Sequence, residues 1–120
     1  MKHILLVDDD EDMLALVSRW LTKGGYEVTS VTGGQGAIDE IRKNRPDLVL
    51  LDYVMPGMDG PATLEVIRND EDMKDIPVIF RTGKEDEESA DVMNRLRPEG
   101  IVLKTDGKPA LMSAVAGVIG

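Results

Sequence analysis

The chain has 120 residues, 42% of them hydrophobic, which is enough to enclose one core and reads as one domain over residues 1–120. Its 14 basic against 23 acidic residues give a net charge of −9, which excludes a grip on nucleic acid by this domain because phosphate binding relies on basic side chains to release counterions. Absence of Cys excludes a disulfide framework and a thiolate metal site, and no apolar stretch reaches membrane-spanning length or follows a signal-peptide pattern after Met1-Lys2-His3, so the expected location is cytoplasmic.

Ile4-Leu5-Leu6-Val7 is a run of branched aliphatics, the mark of a strand buried on both faces, and it stops at Asp8-Asp9-Asp10. Met13, Leu14, Val17, Trp20 and Leu21 follow at helical spacing, with Asp10 suited to cap the helix and Gly24-Gly25 to close it. Glu27-Val28-Thr29-Ser30-Val31 alternates as a partly exposed strand. Gly33-Gly34-Gln35-Gly36 opens a helix through Ala37, Ile38 and Ile41 that ends before Pro46; lacking the Gly-Lys-Ser/Thr ending of a phosphate loop, these glycines are expected to lend loop flexibility.

The third strand, Leu48-Val49-Leu50-Leu51, ends at Asp52 and leads through Met55-Pro56-Gly57-Met58-Asp59-Gly60 into a helix carrying Leu64 and Ile67. Pro77-Val78-Ile79-Phe80 is the fourth strand. The acidic run Lys84-Glu85-Asp86-Glu87-Glu88 is expected as the first turn of a helix, where negative charge suits the macrodipole, ahead of Val92, Met93 and Leu96. Ile101-Val102-Leu103 is the fifth strand, and Leu111, Ala114, Val115 and Val118 mark the last helix, capped by Asp106. His3, the single His, starts a strand and is assigned no chemistry.

Five strand–helix units imply an α/β fold, a doubly wound five-stranded parallel sheet with helices on both faces, because parallel strands need right-handed crossovers. With the flavodoxin-like order 2-1-3-4-5, the topological switch lies between strands one and three, the two that end in Asp8-Asp9 and Asp52. Clustered carboxylates raise one another's pKa unless a cation joins them, and a small all-oxygen cluster with open water positions suits Mg²⁺. The arrangement points to metal-assisted phosphate chemistry.

The residues Val7-Asp8-Asp9, the string from Leu51 through Asp52-Tyr53-Val54-Met55-Pro56-Gly57-Met58-Asp59-Gly60, Thr82 and Lys104 together resemble the receiver domain of two-component response regulators, in order and spacing across the whole chain. The resemblance implies that Asp52 is the phosphoacceptor, attacking the phosphorus of a phosphohistidine, a reaction open to carboxylates. It implies Asp9 as a direct Mg²⁺ ligand, Asp8 as the holder of metal-bound water, and the Val54 backbone carbonyl and Asp52 as further oxygen donors. Thr82 would bond a phosphoryl oxygen as the switch hydroxyl, and Lys104 would bind the phosphoryl group as a compact point charge. Lys108-Pro109 reproduces the family's Lys-Pro dipeptide, but Lys108 falls in a first helical turn, so Lys104 at the strand end is the expected cation.

Five positions depart from the family's habit. Thr105 stands where Pro usually follows the Lys through a cis peptide bond, which costs roughly 2.5–4 kcal/mol before a non-proline residue. Ile101 replaces the usual Tyr or Phe of the coupled readout. Arg81 puts a cation where a central strand should be apolar, and it must reach solvent or pair with an acid. Val54 and Lys84, two residues past Asp52 and Thr82, hold positions that in the family help orient the hydrolytic water, and Val54 offers no hydrogen bond for it. The resemblance implies a sensor histidine kinase or phosphotransfer protein as partner and an output domain or protein target downstream, with no membrane contact. The rival class is a phosphorylation-independent interaction module on the same fold; a small Mg²⁺-dependent phosphohydrolase would want a second acid where Val54 stands.

Overall fold

A computed structural model describes residues 1–83 and 90–120. Five parallel strands, β1 (His3–Val7), β2 (Glu27–Val31), β3 (Leu48–Asp52), β4 (Val78–Thr82) and β5 (Gly100–Leu103), form one sheet in the order β2-β1-β3-β4-β5. The helices are α1 (Glu11–Lys23), α2 (Gly34–Lys43), α3 (Gly60–Asn69), α4 (Ala90–Leu96) and α5 (Gly107–Ile119). This is the doubly wound, flavodoxin-like architecture. The three central strands β1, β3 and β4 are buried along their whole length, and β2 at the edge is half exposed. Among the described residues, no helix is long and apolar enough to cross a membrane.

Side chains alternate between the two faces of a strand. Ile4, Leu6, Leu48, Leu50 and Ile79 therefore pack with Leu14, Val17 and Leu21 of α1 and Leu111 and Val115 of α5. Leu5, Val7, Val49, Leu51, Val78 and Phe80 pack with α2, α3 and Leu96 of α4 on the other side. Each fully enclosed Leu or Ile is worth about 1.5–3 kcal/mol of burial. The same two-residue period carries past the apolar runs, so Asp8, Asp52 and Arg81 continue the phase of Leu6, Leu50 and Ile79 on the α1/α5 side. Register then sets them side by side: Val7 pairs with Leu51, and Asp52 with Arg81.

Local chemistry fixes the element ends. The Asp10 side chain accepts from the backbone N–H groups of Asp12 and Met13 at 2.9 and 3.3 Å, the N-cap geometry of α1. Asp59 caps α3 through the N–H of Ala62 at 2.9 Å, with Pro61 in the first turn. Asp106 does not cap α5, contrary to the sequence expectation. It closes a short 3₁₀ turn, Lys104–Asp106, with α-type backbone (φ −80°, ψ −9°) and accepts no helix N–H, because a capping side chain needs an extended backbone behind it. The Lys104–Thr105 peptide is trans, as are all the described peptide bonds.

Gly34 also departs from expectation. It lies inside α2, buried, and a Cβ there would run into the Thr63 side chain and come within 3.0 Å of Met58. Its smallness allows α2 and α3 to approach; flexibility is not its part. The acidic run of residues 84–88, with Lys84, lies outside the described residues.

Candidate functional site

The carboxyl ends of β1 and β3 open into a crevice of about 360 Å³ lined by Asp8, Asp9, Asp10, Asp52, Val54, Gly83 and Lys104. A somewhat larger cleft of about 410 Å³, walled by Ile41, Arg42, Arg45, Asp70, Asp72 and Met73, sits at the opposite strand edge and gathers no acid cluster. Doubly wound sheets bind ligands at the carboxyl edge beside the switch point, which is the first crevice.

Asp8 and Asp52 are buried and Asp9 is exposed, so the cluster has a floor and an open rim. One oxygen from each of the three lies within 4.8 Å of the others. Ligands on opposite sides of an octahedral Mg²⁺ stand about 4.2 Å apart, so a small contraction brings this hard oxygen set onto one ion while the rim leaves room for water. The residues fit the metal. The loop beyond Asp52 is closed by a bond from Gly60 N–H to the Tyr53 carbonyl at 3.0 Å, and a Cβ on Gly60 would meet the Asp52 carbonyl oxygen at 2.6 Å. Only glycine admits that approach, which presents Val54 at the crevice with its side chain 58% exposed.

Lys104 reaches into this crevice from the far side of the sheet. Its Nζ lies 3.0 Å from Asp52 Oδ1 and 3.5 Å from Asp8 Oδ2. The trans peptide to Thr105 and the following turn bring the ammonium home without the proline that the family uses, since the stem emerges at the β5 end in phase with Val102, on the α1/α5 side. Lys108 is exposed on α5. Thr82 is fully buried at the last position of β4, opposite Leu103, and it is Gly83 just beyond that lines the crevice wall. Ile101 is 43% exposed on β5, and His3 is held by Thr29 Oγ1 at 2.8 Å from its Nε2, a structural contact.

Burial pushes the Asp52 carboxyl up to about 6; the hydrogen bond from Lys104 opposes the rise, and the charge of Asp8 adds to it. Arg81 is the residue whose role sequence reasoning left open. Its side chain is 96% enclosed, given a relative exposure of 4%, with Nη1 3.5 Å from Asp8 Oδ2 and Nη2 3.6 Å from Met13 Sδ. Burial lowers its pKa from the ordinary guanidinium value, against the raising charges of Asp8 and Asp52. The sequence marked Arg81 as a misfit cation on a central strand and left solvent or an acid open to it; nothing there pointed to the Met13 thioether.

An acid-floored crevice with a lysine across it, at the switch point of a flavodoxin-like sheet, defines a class of doubly wound α/β proteins with a charged site at the carboxyl edge of the sheet. The model of the response regulator receiver domain matches residues 4–116. The chain belongs to that family, the receiver domains of two-component response regulators. The DNA-binding response regulator MtrA of Mycolicibacterium paratuberculosis is 31% identical over 98% of this chain, and the chain spans 58% of that relative's length. Transcription factor SKN7 of Candida albicans is 42% identical over 68% of this chain, which corresponds to 14% of SKN7. Among solved structures, the chemotaxis protein CheY4 of Vibrio cholerae superposes with a TM-score of 0.92 at 26% identity over 99% of both chains. The N-terminal domain of a response regulator receiver protein from Methanoculleus marisnigri gives 0.81 at 32% identity, over 100% of this chain and 98% of that one.

Proposed function

We propose that this receiver accepts a phosphoryl group on Asp52 from the phosphohistidine of a sensor histidine kinase or phosphotransfer protein, in a Mg²⁺-dependent reaction, and changes conformation to control an output domain or protein target. An Asp52 carboxylate oxygen attacks phosphorus, the P–N bond breaks, and the imidazole leaves with the electron pair. Asp9, Asp52 and the Val54 carbonyl would be oxygen donors for the metal, with Asp8 holding metal-bound water, and the ion when bound would neutralise charge on the transferring group. Lys104 holds a phosphoryl oxygen from the other side, moving from carboxylate to phosphate by a short reach. Thr82 supplies the hydroxyl that follows the phosphoryl group and draws in the chain beyond β4. No separate substrate is turned over: the domain catalyses its own phosphorylation and a slow dephosphorylation, in the cytoplasm.

The observation that carries this reading is the 3.0 Å contact between Lys104 Nζ and the buried Asp52, inside a set of three convergent carboxylates. MtrA is named as DNA-binding and SKN7 as a transcription factor, so an output that regulates transcription suits this receiver, with the DNA contact made outside this acidic domain. Incubation with acetyl phosphate and Mg²⁺ is expected to add one phosphoryl group by intact mass. Asp52→Ala, or EDTA, is expected to abolish the addition. The rival reading, an interaction module that works without phosphate, draws support from the Arg81–Asp8 ion pair and the aliphatic Ile101. It gains the field if wild type stays unlabelled, and labelling that survives Asp52→Ala moves the acceptor elsewhere.

A further inference from the structure

Asp8 has partners of its own on both oxygens. Its Oδ1 accepts the Asp10 N–H at 3.0 Å, and its Oδ2 is shared by Lys104 Nζ and Arg81 Nη1, each at 3.5 Å. The three carboxylates thus face two cations, one of them permanently charged, because a guanidinium does not deprotonate in a protein.

The arginine is poorly served by this arrangement. A donor distance of 3.5 Å is the outer limit of a hydrogen bond, the second Nη faces only a thioether, and the buried Nε has no partner among the described residues. A buried ion pair of such loose geometry contributes little stability over an apolar side chain of similar size. What the guanidinium does supply is charge, directed at Asp8, on the same side of the sheet as the crevice.

We propose that Arg81 is a built-in counter-cation of Asp8 that lowers the affinity of the crevice for Mg²⁺. The inference rests on the metal reading given above, and it makes Arg81 a positioning residue that acts through Asp8. A divalent ion entering the cluster must share Asp8 with a fixed positive charge a few ångströms away, and at an effective dielectric near 20 one such charge outweighs a tenfold change in affinity even after partial screening by water. Two of the three negative charges are accordingly balanced from within, and Asp9 at the exposed rim is left as the acid readiest for the ion.

The test is isothermal titration of Mg²⁺ into unphosphorylated protein, repeated with Mn²⁺ followed by its electron paramagnetic resonance signal, so that no phosphotransfer activity enters the readout. Arg81→Met and Arg81→Gln, two neutral replacements that differ in polarity, are expected to bind either ion about tenfold more tightly than wild type. Arg81→Lys is expected to stay within about twofold of wild type. Mg²⁺ should also raise the melting temperature of the neutral variants by more than it raises that of wild type, since a tighter ligand stabilises the native state further. Equal affinity in wild type and both neutral variants overturns the inference and leaves the metal reading standing, as does weaker binding in the neutral variants, which would make Arg81 an aid to the metal. Tightening in Arg81→Lys as large as in Arg81→Met overturns it in favour of packing. Failure of every protein to bind either ion removes the metal reading and this inference together.

Discussion

The carboxyl ends of β1 and β3 and those of β4 and β5 meet over the same crevice, yet they are built differently. On the first side, two unbroken aliphatic runs end in Asp8 and Asp52, and the loop after Asp52 is locked by the tight approach of Gly60. On the second, the strands end in Arg81-Thr82-Gly83 and in the trans, 3₁₀-turned Lys104-Thr105-Asp106, with Ile101 half exposed nearby. The first side carries the acids on which the proposed phosphoryl chemistry rests; the second carries the charge of Lys104 in altered surroundings. Electrostatics explains the split. A point charge can be delivered along more than one backbone path, whereas the oxygen donors of a small cation tolerate little displacement.

The difference is sharpened most by setting pH against the acid side. Burial holds the Asp52 carboxyl near 6, above its ordinary 3.8. Below about pH 4 the folded and unfolded chains both keep the proton and Asp52 costs the metal-free fold nothing. Between there and about pH 6 only the unfolded chain ionises, so stability falls as pH rises, and above that range the full penalty, about 2 kcal/mol after solvent screening, is in place. Asp52→Asn, a neutral mimic of the protonated acid, is expected to be more stable than wild type by about that amount in EDTA at pH 7.5, and by close to nothing at pH 4. Urea titrations at the two pH values check this. A variant advantage that is constant with pH, or reversed, means that the Lys104 contact outweighs burial.

The cation side is broken by removing one ammonium at a time. Lys104→Ala deletes the contact to Asp52 and Asp8, and a hydrogen bond to a charged group is worth about 1.5–3 kcal/mol. The initial rate of phosphoryl uptake from acetyl phosphate is expected to fall about ten- to a hundredfold. Lys108→Ala, at an exposed site on α5, is expected to leave it unchanged. Mass-resolved time courses at fixed Mg²⁺ decide between them, and a larger loss in the Lys108 variant would transfer the role across the turn.

Much of this was legible in the chain because it depends on period and position. The apolar runs gave strand identity, and the strand order gave the meeting of Asp8 with Asp52. What was not legible depends on close approach and on backbone angles. Gly34 reads as a loop signal until α3 is seen against it, and Asp106 reads as a cap until its φ and ψ are known. Arg81 was marked as a misfit, but choosing between solvent and an acid required the register that seats it beside Asp52 and the α1 turn that carries Met13.

The smallest effect sits where the two sides share a rim. Val54 lines the crevice with an exposed aliphatic side chain, at a position that the family resemblance marks for orienting the hydrolytic water. An isopropyl group there excludes part of the approach and offers the water no acceptor. Supplying one in Val54→Asn adds a hydrogen bond worth about 1 kcal/mol to a water that must line up behind phosphorus. The aspartyl phosphate of the variant is therefore expected to decay about fivefold faster than that of wild type at equal Mg²⁺. Intact-mass measurement of the phosphorylated fraction over time after donor removal gives both rates. Because the substitution is on the exposed rim, stability should move by less than about 0.5 kcal/mol, which keeps the reading of the rates clean. Equal or slower decay in the variant would place the limit on water attack at the cation side of the crevice, where Lys104 and Gly83 form the opposite wall.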